Sequence, residues 1–356
     1  MSNTIGDKIK CTVFGQSHSE AIGVVIEGVP AGIPLNMDFI NKFMARRAPG
    51  KGKHTTSRKE TDNPKIVSGI VDGVTCGAPI CAVIENGDTR SADYENLKKV
   101  PRPGHADFTA YTKFDTFNDI RGGGQFSGRL TAPLCFAGAV CMQLLSERGI
   151  SIAAHISRIA DVKDTPIDPI DPQEDLFSVE NKDFPVIDND AGRQMLSVIE
   201  EARLDGDSVG GIIECAVCGL DTGYGDPMFD GVENAIARAV FGVPGIKGIE
   251  FGAGFDVARM RGSENNDPFT VKDGKVVTAT NNCGGILGGI SNGMPIVFRC
   301  AVKPTPSIAK EQRSVDLTNN ENTSLVVKGR HDPCIVPRAV PAIEAVTAIA
   351  IANLIL

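Results

Sequence analysis

Three of the five histidines in this 356-residue chain stand in short polar settings where an imidazole could move a proton. His18 lies in GQSHSEAIG, between Ser17 and Ser19, at what reads as the mouth of a strand. His105 follows Arg102 and a Pro-Gly turn in RPGHADF, and His331 sits between Arg330 and Asp332 in KGRHDPC. A nearby cation weakens a histidine's hold on its proton, whereas a bound phosphate strengthens it. Such a group can therefore act as an acid once an anionic substrate has arrived. His155, inside the apolar SIAAHIS, reads instead as a packed residue.

Two stretches could supply the anion site. From Lys42 to Lys59 the chain places Lys42, Arg46, Arg47, Lys51, Lys53, Arg58 and Lys59 in succession without an acid, and His54 belongs to the same strip. In a chain of net charge −8, this strip is either a solvated loop or a site that gathers a small polyanion by focused potential. Nucleic acid fits less well, because the pI is acidic and no aromatics are interleaved. The second stretch is DIRGGGQFSGRLTAP, residues 119–133. Its three glycines allow a tight turn with open N–H groups, Ser127 can cap the following helix, and Arg121 and Arg129 flank it. The spacing matches neither a dinucleotide fingerprint nor a P-loop. Cys215 and Cys218 form a CxxC, but in the apolar, strand-like GGIIECAVCGL they point to opposite faces and read as core thiols, with no metal site implied.

The elements that must position these groups alternate along the chain. IGVVIEG (22–28), APICAVIEN (78–86), GGIIECAV (210–217) and PIVFRCAV (295–302) read as strands. Asn36 is expected to cap a helix that Pro49-Gly50 ends, which makes Arg47 a helix-end residue exposed to ligand and not packed. Asp230 is expected to start another helix, and Pro341 a last one rich in alanine and isoleucine. Residues 22–33 and 209–220 share glycine, isoleucine, glutamate and glycine in register, from either duplication or chance. With no linker between the halves, one domain over residues 1–356 is expected. The opening MSNTIGDKIK is polar with no apolar h-region, so no secretory leader is expected, and the apolar runs near 130–145 and 340–356 read as too short or interrupted to span a bilayer. A cytoplasmic protein with reduced thiols is expected.

Nine blocks in order resemble the chorismate synthase family: GQSHSEAIGVVIEGVPAGIPL, RRAPG, SGIVDGVTCGAPI, RPGHAD, RGGG, FGAGFDVARMRGSENND, GGILGGISNGMPI, VKPTPSI and KGRHDPC. The resemblance implies an α+β fold, a layered β-α-β sandwich with internal duplication of β-α-β units, assembled as a homotetramer. It implies a lyase that converts 5-enolpyruvylshikimate 3-phosphate to chorismate and phosphate, using reduced FMN without net redox change. NADPH would serve only as a reductant, and the lack of large insertions between the blocks points to an external flavin reductase.

By the same resemblance, His18 protonates the reduced flavin, His105 assists phosphate departure, and Asp332 works with the flavin in removing the ring proton. Ser17, Arg46, Arg47 and Arg129 would bind substrate. Ser127, Gly288, Lys303, Pro304, Thr305, Pro306, Ser307 and Arg330 would bind FMN. This chain departs from the commonest pattern at Gln16, Ser19, Lys53, Gln125, Phe126 and Leu130, whose side chains are therefore given no role. The basic strip alone would also suit a non-catalytic polyanion-binding module, and the flavin a redox enzyme acting on a phosphorylated metabolite.

Overall fold

Among the described residues, short apolar strands, some buried on one face and others on both, build two five-stranded sheets, and nearly all-apolar helices fill the space between them. In the computed structural model, residues 3–50, 62–87, 96–180, 182–327 and 331–356 are described. The first sheet uses β1 (Thr4–Ile5), β2 (Lys10–Gly15), β3 (Ala21–Glu27), β4 (Lys65–Ser68) and β5 (Ile80–Glu85), in the order β1-β2-β3-β5-β4. The second uses β6 (Ser151–Ile159), β7 (Val162–Lys163), β8 (Gly211–Cys218), β9 (Ile246–Phe251) and β10 (Ile296–Val302), in the order β9-β10-β8-β6-β7. Every neighbouring pair is antiparallel. The two similar segments supply the middle strand of each sheet, β3 and β8, and a helix follows each of them.

Those helices are α1 (Met37–Arg47) and, later, α5 (Val232–Val240); α2 (Asp107–Lys113), α3 (Thr131–Ser146) and α4 (Asn189–Leu204) come between them, and α6 (Val336–Ile355) closes the chain. Helix α3 packs on β3 and α6 on β6 and β8, and the two pack on each other, so the layers run sheet, helices, sheet. Small residues permit this close approach. A side chain at Gly138 of α3 would collide with the backbone of Ala345 on α6. Asn36 does cap α1, accepting from Phe39 N at 3.0 Å.

Three expectations change. The last helix begins at Val336, with Pro337 in its first turn, and Pro341 lies inside it, where one backbone bond is forgone within a fully packed environment. Helix α5 starts at Val232 after Gly231, not at Asp230. The segment 128–146 and α6 are long and apolar enough to cross a membrane, contrary to the sequence reading, but both are mostly buried as the central layer. Cys215 joins the main core and Cys218 a smaller cluster on the opposite face of β8, and burial raises the Cys218 thiol to about 11.

Candidate active site

The glycine run forms a turn that only glycine can make, and it touches two of the candidate histidines, His18 and His105. Gly122, Gly123 and Gly124 all have positive φ, at 61°, 88° and 54°. A side chain at Gly122 would strike the His18 ring and Ser17 Oγ, and one at Gly123 would stand 3.1 Å from His105 Nε2. Gly124 O accepts a hydrogen bond from Ser17 N at 3.1 Å. Ser127 then caps the short helical turn leading into α3, accepting from Arg129 N at 3.3 Å.

RPGHAD closes on its own aspartate. Asp107 Oδ1 accepts from His105 Nδ1 at 2.6 Å and from Arg102 Nη2 at 2.8 Å. Its Oδ2 accepts from Arg102 Nε at 2.7 Å and from Arg102 N at 3.0 Å. Burial alone would raise the Asp107 carboxyl, but the bonds from Arg102 and His105 outweigh it and hold the group far below the usual carboxylate range. Arg102 Nη1 also reaches Ser307 Oγ at 3.1 Å, and Lys303 Nζ donates to Gly104 O, so the histidine loop is fastened to the segment 303–307 at two points.

Two arginines meet at a second buried carboxylate. Arg47 Nη1 lies 2.5 Å from Asp62 Oδ2, and Arg129 Nη1 holds Asp62 Oδ1. Arg129 Nε donates to Asn86 Oδ1 at 3.0 Å, and Arg47 to Thr131 Oγ1 and Gly128 O. Burial would raise Asp62, but the charges of Arg47 and Arg129 lower it below its ordinary value. Across from them, Asp332 Oδ2 pairs with Arg338 Nη1 at 2.6 Å, and Arg338 Nε donates to Arg47 O at 3.1 Å. The start of α6 is thereby tied to the end of α1.

These groups surround a cavity of about 530 Å³. His105, Arg47, Ser127, Arg129, Asp332 and every residue of Lys303–Ser307 line it, and so do Gln125 and Phe126. Ser17, 1% exposed, and His18, 7% exposed, lie behind Gly122. Arg47 lines the cavity as expected of a ligand-facing residue, yet it is packed and 2% exposed, because Asp62 draws its guanidinium inward.

Arg46 is not among the lining residues. Its guanidinium turns to Glu344 on α6, with bonds of 2.6 and 2.9 Å, and the same carboxylate accepts from Ala154 N at 2.8 Å. Gly288 forms the tight turn between strands Ile286–Leu287 and Ile290–Ser291, also away from this cavity. Arg330 and the strip from Lys51 to Lys59, with Lys53 and His54, lie outside the described residues. Leu130 is buried in the core, and Ser19 Oγ closes a local turn with Gln16 and Ala21, so both have structural work of their own.

The sequence reading passed over Asp62, Asp107, Arg338 and the wall Gly242–Gly245. Only Asp107 carried a signal, as an acid two residues after a candidate histidine.

The family model for chorismate synthase matches residues 9–356. A chorismate synthase of Dehalococcoides mccartyi is 47% identical, over 100% of this chain and 97% of its own length. One of Thermococcus kodakarensis is 46% identical, over 98% and 96%. A crystal structure of a chorismate synthase superposes with a TM-score of 0.76 at 27% identity, covering 98% of this chain and 92% of that one. The chain belongs to the chorismate synthase family.

Proposed function

We propose that the cavity converts 5-enolpyruvylshikimate 3-phosphate to chorismate and inorganic phosphate, with reduced FMN bound beside the substrate. The observation that carries this reading is the convergence on one cavity of an oriented histidine, a pair of buried arginines and a carboxylate. A substrate with two carboxylates and a phosphate requires such cations, and an elimination requires both an acid and a base.

The residues present suit a flavin phosphate and ring. Phe126, Val243, Pro244, Pro304 and Ile335 give apolar walls. Thr305 Oγ1 is shut off from solvent with no hydrogen-bond partner among the described residues. Burial and the charge of Lys247 push the Lys303 ammonium below its ordinary pKa, a cost that a bound anion would relieve. Lys303, Thr305, Ser307 and Ser127 would hold the cofactor. Reduced FMN held there would supply electron density to the reacting ring without net oxidation.

The chain's own residues supply positions and protons. Arg47 and Arg129, fixed by Asp62, hold substrate anions at the cavity wall. His105 Nε2 gives a proton to the departing phosphate, which leaves with the electron pair of its C–O bond. Asp332 takes the proton lost from the ring carbon, and a new ring double bond completes the balance. His18, with Ser17, keeps a second exchangeable proton behind the Gly122 turn. Arg46 is assigned to the fold and not to substrate. We also assign the chain to the cytoplasm, as a homotetramer whose flavin is reduced by a separate enzyme, with NADPH only the ultimate donor; neither a membrane nor nucleic acid enters this reading.

An anaerobic assay with dithionite-reduced FMN and 5-enolpyruvylshikimate 3-phosphate tests the reading. Phosphate and the conjugated diene should form in equal amounts over many turnovers while the flavin stays reduced. Flavin oxidation in step with turnover, or binding without phosphate release, would contradict it.

A further inference from the structure

Asp107 stands at the first turn of α2 with its side chain 3% exposed, and it is saturated. Its two oxygens accept four hydrogen bonds, three from Arg102 and one from His105, which is all a carboxylate can take. The distances at His105 Nδ1 decide where the imidazole proton sits. Nδ1 lies 2.6 Å from Asp107 Oδ1 and 3.1 Å from Arg102 Nη2. A bare Nδ1 would set two lone pairs against each other across the shorter contact. A proton on Nδ1 turns that contact into a charge-assisted bond. The other nitrogen, Nε2, is then left beside Gly123, on a ring that lines the cavity.

We propose that Asp107 is the positioning residue of His105: its carboxylate keeps the imidazole in the Nδ1–H form, so that Nε2 is the nitrogen that gains and gives up the proton. Arg102 is the brace, since its guanidinium orients Asp107 through two nitrogens, beside the bond from its backbone N, and anchors the assembly to Ser307 with the third. The proposal rests on the reading of His105 as the donor to the departing phosphate. Asp107 itself touches neither substrate nor cofactor and acts only through the ring.

The geometry also says what Asn would do in its place. An amide nitrogen at the Oδ2 position would face two donors, Arg102 N and Nε. At the Oδ1 position it would face one, Arg102 Nη2, and could donate to His105 Nδ1. The second orientation is the less frustrated, and it forces the neutral ring into the Nε2–H form, the wrong one for accepting a proton at the cavity.

Nitrogen-15 chemical shifts of His105 in the full-length wild-type protein, above the titration of an ordinary imidazole at about pH 6.5, should show Nδ1 protonated. The Nε2–H form there would overturn the proposal without any variant having to fold. Asp107→Asn should move the ring to Nε2–H and lower kcat by roughly 10²–10⁴-fold, with KM changed only a few-fold. Asp107→Glu should recover part of that loss. Unchanged kcat in folded Asp107→Asn would also overturn the proposal. His105→Ala separates the two readings: normal turnover in that variant removes the donor role itself. If His105→Ala is impaired, adding Asp107→Asn should cost nothing further, and an additional loss would show that Asp107 acts by another route.

Discussion

Arg47 and Asp62 form a 2.5 Å ion pair whose side chains are 3% and 0% exposed, and the second oxygen of Asp62 is held by Arg129. One carboxylate therefore sets the spacing of two cavity arginines. Truncating Asp62 to Ala removes one buried carboxylate from both guanidinium groups, which should lower unfolding free energy by about 3–5 kcal/mol and raise substrate KM. Arg47→Ala should likewise damage both stability and binding, where an exposed arginine would have affected binding alone. Because the folded-state pKa of Asp62 is depressed, its contribution is present above the ordinary carboxylate value of about 3.9 and is lost as pH falls through the lower folded value. Denaturation midpoints across that acid range should fall less steeply in Asp62→Asn than in the parent. Identical acid limbs would count against the pair.

Arg46 should behave differently from its neighbour. Its partner Glu344 is 1% exposed and also accepts from a β6 backbone N–H. Arg46→Ala leaves that carboxylate buried without a counter-ion, so a stability loss of about 3–5 kcal/mol is expected with KM near the parent value. A large rise in KM with stability intact would return Arg46 to the substrate site.

His155 gives the protein an alkaline weakness. It is fully buried, with Asp164 2.9 Å from one ring nitrogen and Glu214 3.0 Å from the other. Burial disfavours the imidazolium, but the bonds and charges of Asp164 and Glu214 outweigh it and raise the pKa. The resulting stability is complete below the unfolded value of about 6.5 and is lost as pH rises through the raised folded value. Urea unfolding at a series of pH values should show this decline in the parent and not in His155→Gln. Parallel curves would mean that the pair of acids holds a neutral ring.

The strands, the capped first helix and the last core helix were legible because their signals are local: apolar, β-branched runs bounded by glycine or proline, Asn36 ahead of an amphipathic run, and a final stretch rich in alanine and isoleucine. His105, Arg129 and Asp332 were legible through the motifs that surround them. Asp62 was not, since nothing near it says that two distant arginines converge there. Arg338 was hidden for a similar reason, as an arginine in an apolar helix whose partner precedes the helix. The direction of Arg46 and Arg47 was also out of reach. Adjacent helical residues point about 100° apart, and only the placement of α6 and Asp62 decides which of them faces the cavity.

Asp332→Asn tests most directly whether this cavity performs the elimination. Asparagine nearly keeps the size of the side chain and can still accept from Arg338 Nη1, so the fold and the complex with reduced FMN and substrate should survive. It cannot take the ring proton. Anaerobic single-turnover measurements with saturating reduced FMN should show the diene forming roughly 10²–10⁴-fold more slowly, with phosphate release slowed in step. Turnover within a few-fold of the parent would contradict the account, leaving Asp332 as no more than the partner of Arg338 at the start of the last helix.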